Sequence, residues 1–280
     1  MATRLYRHLQ QHPTRMMASI SAATKPPITS GRIPVIYSNA ESRRLLMTSP
    51  SPQIGPLAPQ TLVLPPPHCR LDGRYTSLVP LKPEHSASLF KHLGGVQNDH
   101  LWRYMFSGGY GEEAQFQKAI ADWSQSSDPL YFSVMSGPRS DPLAQPAGLI
   151  SLMSIVPSHR RIEIGCITFG SLLQRSTAAT EACFLLMQHA FEDLGNSRVE
   201  WKADELNKPS LAAAERLGFS FEGVFRKHMV IKGRYRDTAW YSTTEDEWTR
   251  LKQGFDDWLA DDNFDSKGQQ RRSLGQCRST

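Results

Sequence analysis

The stretch that decides the fold is Gln-Arg-Ser-Thr-Ala-Ala-Thr-Glu at residues 174–181. It follows an apolar, strand-like segment at residues 162–169 and opens an amphipathic, helix-like pattern at residues 182–194. A strand that turns through small residues into a helix leaves several backbone N–H groups pointing at one place, where the helix dipole also attracts anions. The stretch therefore suits a phosphate or pyrophosphate. Taken alone, it equally suits an ordinary helix start capped by Ser176 or Thr177.

A second informative stretch begins about thirty residues further along the chain. Residues 198–203 are strand-like, Asn207-Lys208-Pro209-Ser210 follows, and a helix-like run ends at Leu217-Gly218-Phe219. In their order and spacing, the two stretches resemble the GNAT superfamily of acyl-CoA-dependent N-acyltransferases. The resemblance is closest to the branch that includes the ribosomal-protein N-terminal acetyltransferases. It covers residues 71–259, about two thirds of the chain.

The order of the predicted elements indicates an α/β fold with a mixed sheet and helices on both faces. The predicted strands lie at residues 75–81, 131–135, 147–155, 162–169, 198–203, 219–231 and 235–243, and the predicted helices at 83–93, 112–123, 182–194, 210–217 and 245–259. The resemblance implies the GNAT fold, with a central, mostly antiparallel sheet and flanking helices. In that fold two central strands splay apart, and acetyl-CoA lies in the opening.

The resemblance also implies a cofactor loop, because the family pattern Gln/Arg-x-x-Gly-x-Gly/Ala maps onto residues 174–179. Thr177 departs from the pattern, since it stands where the central glycine is usual. We expect backbone N–H groups from Arg175 to Thr180 to bind the CoA pyrophosphate, and Arg175 either adds positive charge or is simply solvated. The implied cofactor-binding residues are Gln174, Arg175, Ser176, Thr177, Ala178, Ala179, Thr180 and Asn207.

Asn207 and Ser210 each have an ordinary and a functional interpretation. An asparagine between a strand and a helix is by default a turn or cap residue, whereas the resemblance implies a hydrogen bond to the pantetheine arm or the amine. We favour the second for Asn207. Many family members protonate the departing thiolate with a tyrosine, but Ala214 occupies that position here. Ser210 is therefore the candidate general acid, and its ordinary alternative is a first-turn or capping serine.

Glu163 is the candidate general base that the reaction needs to deprotonate the amine. Its neighbours Ile162 and Ile164 are apolar, so an inward-facing carboxyl would have a raised pKa. The alternative is an outward-facing Glu163 paired with Arg160 or Arg161. A backbone N–H near Cys166 or Ile167, unpaired because of the splay, would polarise the thioester carbonyl.

Aromatic and basic residues are expected on the acceptor side, where the family places its first loops and last hairpin. They are Trp102, Tyr104, Phe106 and Trp240 together with Arg226, Lys227, Arg234 and Arg236. Such a cleft would suit a small, acid-bearing amine. The alternative is that the aromatics are core residues and the basic groups form a solvated face.

Composition excludes several classes of protein. No run of eighteen apolar residues exists, so the sequence predicts no membrane-spanning helix. Four cysteines without paired metal-ligand spacing indicate reduced thiols in an intracellular protein, and neither a metal site nor a thiol nucleophile is expected. The net charge of +5 comes from residues 1–71, which hold eight basic residues and one acid, against 24 and 26 in the remainder. The folded part is therefore not a nucleic-acid binder.

Three segments are predicted from composition. Residues 1–68 form a basic leader rich in proline and serine, which we expect to be disordered. Residues 69–260 form the GNAT domain, and residues 261–280 form a polar C-terminal tail. The leader resembles a mitochondrial transit peptide, although Pro13 interrupts any long amphipathic helix. The sequence therefore leaves both the cytoplasm and the mitochondrial matrix open.

These features predict a soluble enzyme that moves an acetyl group from acetyl-CoA to a primary amine. The acceptor is a small molecule or a peptide N-terminus, and the amine attacks directly in a ternary complex. The absence of visible partner motifs favours a small molecule, and the oligomeric state is left open. The alternative is a non-catalytic CoA-binding or interaction module of the same fold, motivated by Ala214 and Thr177.

Overall fold

Eight strands form one mixed sheet in the computed structural model, which describes residues 55–278. They are β1 Leu71–Asp72, β2 Ser77–Pro80, β3 Leu130–Met135, β4 Pro146–Val156, β5 Arg161–Phe169, β6 Arg198–Asp204, β7 Ser220–Ile231 and β8 Arg234–Thr244. The spatial order is β1-β2-β3-β4-β5-β6-β8-β7, and every neighbouring pair is antiparallel except β5 and β6. The predicted mostly antiparallel sheet is confirmed.

Helices cover both faces of this sheet, as predicted. They are α1 Ser86–Leu93, α2 Glu113–Ser124, α3 Thr177–Gln188, α4 Lys208–Leu217, α5 Glu245–Leu259 and α6 Leu274–Cys277. The third helix begins at Thr177 rather than at residue 182, because the Ser176 side chain accepts a hydrogen bond from the N–H of Ala179 and caps the helix there. A single π-helical turn, His189–Asp193, continues it.

Two apolar clusters hold the helices against the sheet. The larger one joins strand residues such as Ile162, Ile164 and Val199 to α3 and α5 on one face. The smaller one joins α1 and α2 to Tyr131 and Leu149 on the other face. Burial of apolar surface stabilises the fold by about 25 cal/mol per Å². The apolar face of each strand is therefore held against the helices, and the opposite orientation is disfavoured.

The splay between the two central strands is present. Strands β5 and β6 pair only where residues 161–163 meet residues 198–200. Beyond that point β6 pairs with β8 as far as Asp204, while the end of β5 pairs only with β4. An opening therefore lies between the second halves of β5 and β6.

The compact unit is wider than the predicted domain at both ends. It begins at Pro59, and Val63 is only 6% exposed. After α5 the chain forms a short 3-10 turn, Asp261–Asn263, and then α6, where Leu274 and Cys277 are buried. The predicted leader, residues 1–68, lies mostly outside the described residues. Between residues 55 and 278, no helix is long and apolar enough to cross a membrane.

Candidate active site

A β-bulge in β5 borders the opening. Ser151 pairs with Gly165 and Leu149 with Thr168, so Cys166 and Ile167 together face one residue of β4. Cys166 has φ +50°, in the left-handed region. A bulge leaves its extra residue out of the ladder and bends the strand. The bulge lies where the sequence predicted an unpaired N–H.

A second bulge, in β4, supports Glu163. Met153 pairs with Glu163 and Val156 with Arg161, so Ser154 and Ile155 face one residue of β5. Ser154 has φ +49°, and its hydroxyl donates to the Glu163 carboxylate at 2.8 Å. The carboxylate is thereby held by the neighbouring strand.

Glu163 is buried, with 5% of its surface exposed. The Lys202 ammonium donates to the same carboxylate oxygen at 2.8 Å. The structure therefore places Glu163 inward but pairs it with Lys202, and the alternative of an outward Glu163 paired with Arg160 or Arg161 is wrong. Arg161 pairs with Glu200 instead, and Arg160 donates to Ser197 and the carbonyl of Gly195.

Lys202 belongs to a charged row along one face of β6. Its ammonium also contacts Glu200 at 2.7 Å, and Arg198 donates to Glu200 at 2.9 Å. Although burial alone would raise it, the hydrogen bonds from Lys202 and Arg198 hold the pKa of Glu200 below its ordinary value. Sequence analysis missed Lys202, yet the two-residue period of a strand would have placed it with Arg198 and Glu200.

The cofactor loop offers fewer free N–H groups than the sequence predicted. The N–H of Ser176 donates to the carbonyl of Leu173, and the N–H of Ala179 donates to the Ser176 hydroxyl. Thr180 lies within the helix, where its N–H belongs to the helical ladder. Among the described residues, the N–H groups of Arg175, Thr177 and Ala178 have no such partner. Ser176 is thus a helix cap, and the neighbouring N–H groups remain available to an anion.

The side chains around this loop differ in whether their polar groups are free to bind a ligand. Gln174 donates to the carbonyl of Phe169 at 2.9 Å, which ties down the loop entry. Arg175 is exposed and has φ +58°. Thr180 is 5% exposed, and its hydroxyl accepts from Arg216 at 3.0 Å. The Arg175 guanidinium is therefore free to meet a ligand, whereas the Gln174 amide nitrogen and the Thr180 hydroxyl already have partners.

Asn207 stands at the N-cap of α4, but its side chain does not cap the helix. Within residues 55–278, the side-chain amide of Asn207 makes no hydrogen bond. Ser210 lies in the first turn, where its oxygen accepts from the Trp201 indole at 3.1 Å and its own proton is left free to donate. Ala214, by contrast, is fully buried, so that position faces the core. The available polar groups of this helix start are those of Asn207 and Ser210.

The acceptor side is bounded by the 102–107 loop and the β7–β8 hairpin. The Lys232 ammonium, at the hairpin tip, donates to the carbonyl of Trp102 at 2.8 Å. The Arg236 guanidinium lies over the Phe106 ring, 5.4 Å from its centroid. Of the predicted aromatic residues, Trp102 is core and Phe106 is 45% exposed. The predicted basic residues divide likewise: Arg226, Lys227 and Arg234 are exposed, whereas Arg236 is buried.

Two cavities lie in this region. One of about 30 Å³ is bounded by Phe106, Tyr131, Cys166 and Thr168, among others. The Thr168 hydroxyl is buried there and has no hydrogen-bond partner among the residues that the structure describes. The other, an open groove of about 880 Å³, runs between the end of β6 and the β7–β8 hairpin. The small cavity beside the bulge has room for a methyl-sized group, and the groove has room for a larger one.

A cysteine, a histidine and an aspartate form a row at the end of α3. Cys69 Sγ lies 4.0 Å from His189 Nε2, and His189 Nδ1 lies 2.7 Å from Asp193. Burial and the charge of Asp193 raise the pKa of the Cys69 thiol, so the row does not produce a reactive thiolate. Burial likewise raises the pKa of Cys166, and that of Cys183 to about 12. In the part of the chain that the structure describes, no three or more His, Cys, Asp or Glu side chains are arranged so that they could hold a metal ion.

Comparisons with known proteins agree with this geometry. A family model described as an acetyltransferase (GNAT) domain matches residues 76–220. The structure of a GCN5-related N-acetyltransferase from Brucella melitensis is 42% identical, covers 79% of this chain and 98% of its own, and superposes with a TM-score of 0.75. A structure from Chromobacterium violaceum, described as a probable GNAT-family acetyltransferase, is 37% identical, with coverage of 71% and 100% and a TM-score of 0.63.

A curated relative is named "Putative ribosomal N-acetyltransferase YdaF" and comes from Bacillus subtilis. It is 35% identical over 101 residues, which is 36% of this chain. The match spans about half of the relative, 55% of its length. The similarity therefore concerns part of that protein.

Proposed function

Since this chain belongs to the GNAT acetyltransferase family, we propose that it acetylates a primary amine by direct attack on acetyl-CoA in a ternary complex. The observation that carries this proposal is the opening between β5 and β6, which has the bulge at Cys166 on one strand and the buried Glu163 beside it. The acceptor is a small-molecule amine or a peptide N-terminus. The name of the Bacillus subtilis relative supports the peptide, and the open groove is wide enough for either.

The residues of the opening divide the chemistry between them. Glu163 takes the proton of the attacking amine, and Lys202 and Ser154 hold its carboxylate in place for that step. A backbone N–H of the bulge donates to the carbonyl oxygen as negative charge develops on it. The Ser210 hydroxyl, oriented by the Trp201 indole, gives its proton to the departing thiolate.

The cofactor is held, in this proposal, along the start of two helices. The free N–H groups of Arg175, Thr177 and Ala178 lie at the positive end of the α3 dipole and bind the pyrophosphate. The unpartnered amide of Asn207 binds the pantetheine arm. Both sites lie at strand ends that flank the same opening, so in this proposal the thioester lies between them and the bulge.

The test is acetyl-CoA binding by calorimetry for the full chain and for Asn207→Ala. We expect binding that weakens about fivefold in the variant, since a hydrogen bond is worth about 1 kcal/mol. Gln117→Ala, an exposed substitution on α2, is the matched control and should bind as the unchanged protein does. Equal binding by both variants would remove Asn207 from the site.

The second candidate is a CoA-binding module without catalysis, favoured by the buried Ala214 and by Thr177 in the cofactor loop. Detection of released thiol with a broad panel of amines distinguishes the two. Turnover with any amine excludes the module. Tight acetyl-CoA binding without turnover would instead support it.

A further inference from the structure

Arg236 is a buried cation that has no ion pair within residues 55–278. Only 6% of its surface is exposed, and no carboxylate among the described residues lies within 4.0 Å of its guanidinium. Its Nε donates to the Thr238 hydroxyl at 3.1 Å. The two Nη groups make no hydrogen bond within residues 55–278, yet they are not among the side-chain atoms sealed from solvent. They are the part of the side chain that is left to meet a ligand.

Burial of the Arg236 charge costs free energy unless an anionic partner binds to it. A buried charge normally has a partner, because removal of an ion from water costs several kcal/mol. Burial lowers the pKa of Arg236, and the charges of Asp204 and Glu163 act on it only from beyond ion-pair distance. Lys202, the neighbouring cation, is already neutralised by Glu163 and Glu200. Arg236, unlike Lys202, therefore has no direct ion-pair partner among the described residues.

The guanidinium is also held in one orientation. Phe106 covers one face at 5.4 Å, and Thr238 fixes the Nε side. The Thr238 hydroxyl also contacts the His228 ring at 3.1 Å. A planar guanidinium with two free Nη groups matches a carboxylate, which it binds with two parallel hydrogen bonds.

We propose that Arg236 binds a carboxylate of the acceptor, so that the substrates are amines that also carry an acid group. The proposal rests on the proposed acetyltransferase function and deepens it. In this proposal the amine of the acceptor lies at Glu163 while its carboxylate lies at Arg236. A free amino acid and a peptide with an acidic residue next to its N-terminus both present this chemistry.

The experiment compares acceptors in matched pairs that differ only in carboxylate against carboxamide. Glycine, β-alanine and γ-aminobutyrate are paired with their amides, and an Ala-Glu dipeptide amide is paired with its Ala-Gln counterpart. The released thiol reports turnover. We expect kcat/KM to favour the acid by about 10- to 100-fold in at least one pair, as charge-assisted hydrogen bonds imply. The pair that shows the preference identifies a free amino acid or a peptide as the source.

Arg236→Gln should abolish the preference for the acid while it leaves acetyl-CoA binding unchanged, and Arg236→Lys should restore part of it. Arg234→Gln, an exposed change on the same hairpin, is the control and should keep the preference. Equal turnover of acid and amide by the unchanged protein overturns the proposal, and so does acetyl-CoA binding without turnover of any pair. Failure to bind acetyl-CoA would instead contradict the acetyltransferase function itself.

Discussion

Lys202 determines what the Glu163 carboxylate can do. An ammonium at 2.8 Å stabilises the ionised carboxylate, which is the form a general base needs. The same ammonium lies 4.3 Å from the Trp240 ring centroid and contacts Glu200, so it cannot easily move. Two hydrogen bonds, one from Lys202 and one from Ser154, thereby hold the carboxylate beside the opening.

We expect Glu163→Gln to lower kcat/KM by about 10²- to 10⁴-fold, because loss of a general base has that effect. Acetyl-CoA affinity should not change, and calorimetry beside the thiol-release assay measures both. The double variant Lys202→Met, Glu163→Gln distinguishes a role of Glu163 as the general base from a role as the counter-charge of Lys202. If Glu163 only balances Lys202, the double variant should recover activity; if it is the base, the double variant stays inactive.

At the scale of elements, the two bulges place functional groups that a regular ladder would not. Each one inserts an extra residue opposite β4 or β5, and each holds a non-glycine residue at positive φ, namely Ser154 and Cys166. Such conformations cost about 1–3 kcal/mol and persist only where the surroundings impose them. The bulge in β4 brings the Ser154 hydroxyl to Glu163, and the one in β5 bends the strand beside the opening.

We predict that Cys166→Gly keeps activity, because glycine adopts φ +50° without strain. Cys166→Val should lower both stability and kcat, since a β-branched residue is strained at positive φ. Thermal unfolding and thiol release measure the two effects. Cys183→Val, a substitution at a buried cysteine with ordinary helical geometry, is the control. Equal losses in the two valine variants would mean that side-chain volume, not the bulge, matters.

At the scale of the molecule, the chain after α5 closes the core. Leu274 and Cys277 are 1% and 2% exposed and belong to the larger apolar cluster. The Arg278 guanidinium donates to the carbonyl of Arg216, at the end of α4. The segment 261–280 is mostly polar, and composition alone therefore did not indicate that Leu274 and Cys277 are buried in the core.

We expect Leu274→Ala to lower the free energy of unfolding by about 2–4 kcal/mol, as loss of a buried leucine does. Removal of the chain after Ala260 should cost more, because the Cys277 and Arg278 contacts go with it. Denaturant unfolding followed by fluorescence measures both. Gln269→Ala, an exposed change in the same segment, should have almost no effect. A truncated chain as stable as the whole one would show that this segment contributes nothing to the core.

How well a structural feature could be predicted depends on the sequence range of the interactions that determine it. Helix α5 was predicted with its observed bounds, and the predicted strands at residues 219–231 and 235–243 leave the turn where the β7–β8 hairpin has it. These features depend on local periodicity and turn chemistry. The start of α3 was placed five residues late, because the apolar pattern begins after the capping serine.

The sequence by itself determined the family and the order of the main strands and helices, since short-range patterns encode both; it missed the short strand β1 and helix α6. The tertiary structure alone decided the pairing of Glu163 with Lys202, which are 39 residues apart, and the burial of Arg236 beneath Phe106. The reason is physical. A local pattern states which side of a strand a residue occupies, but which charges meet depends on how distant strands pair.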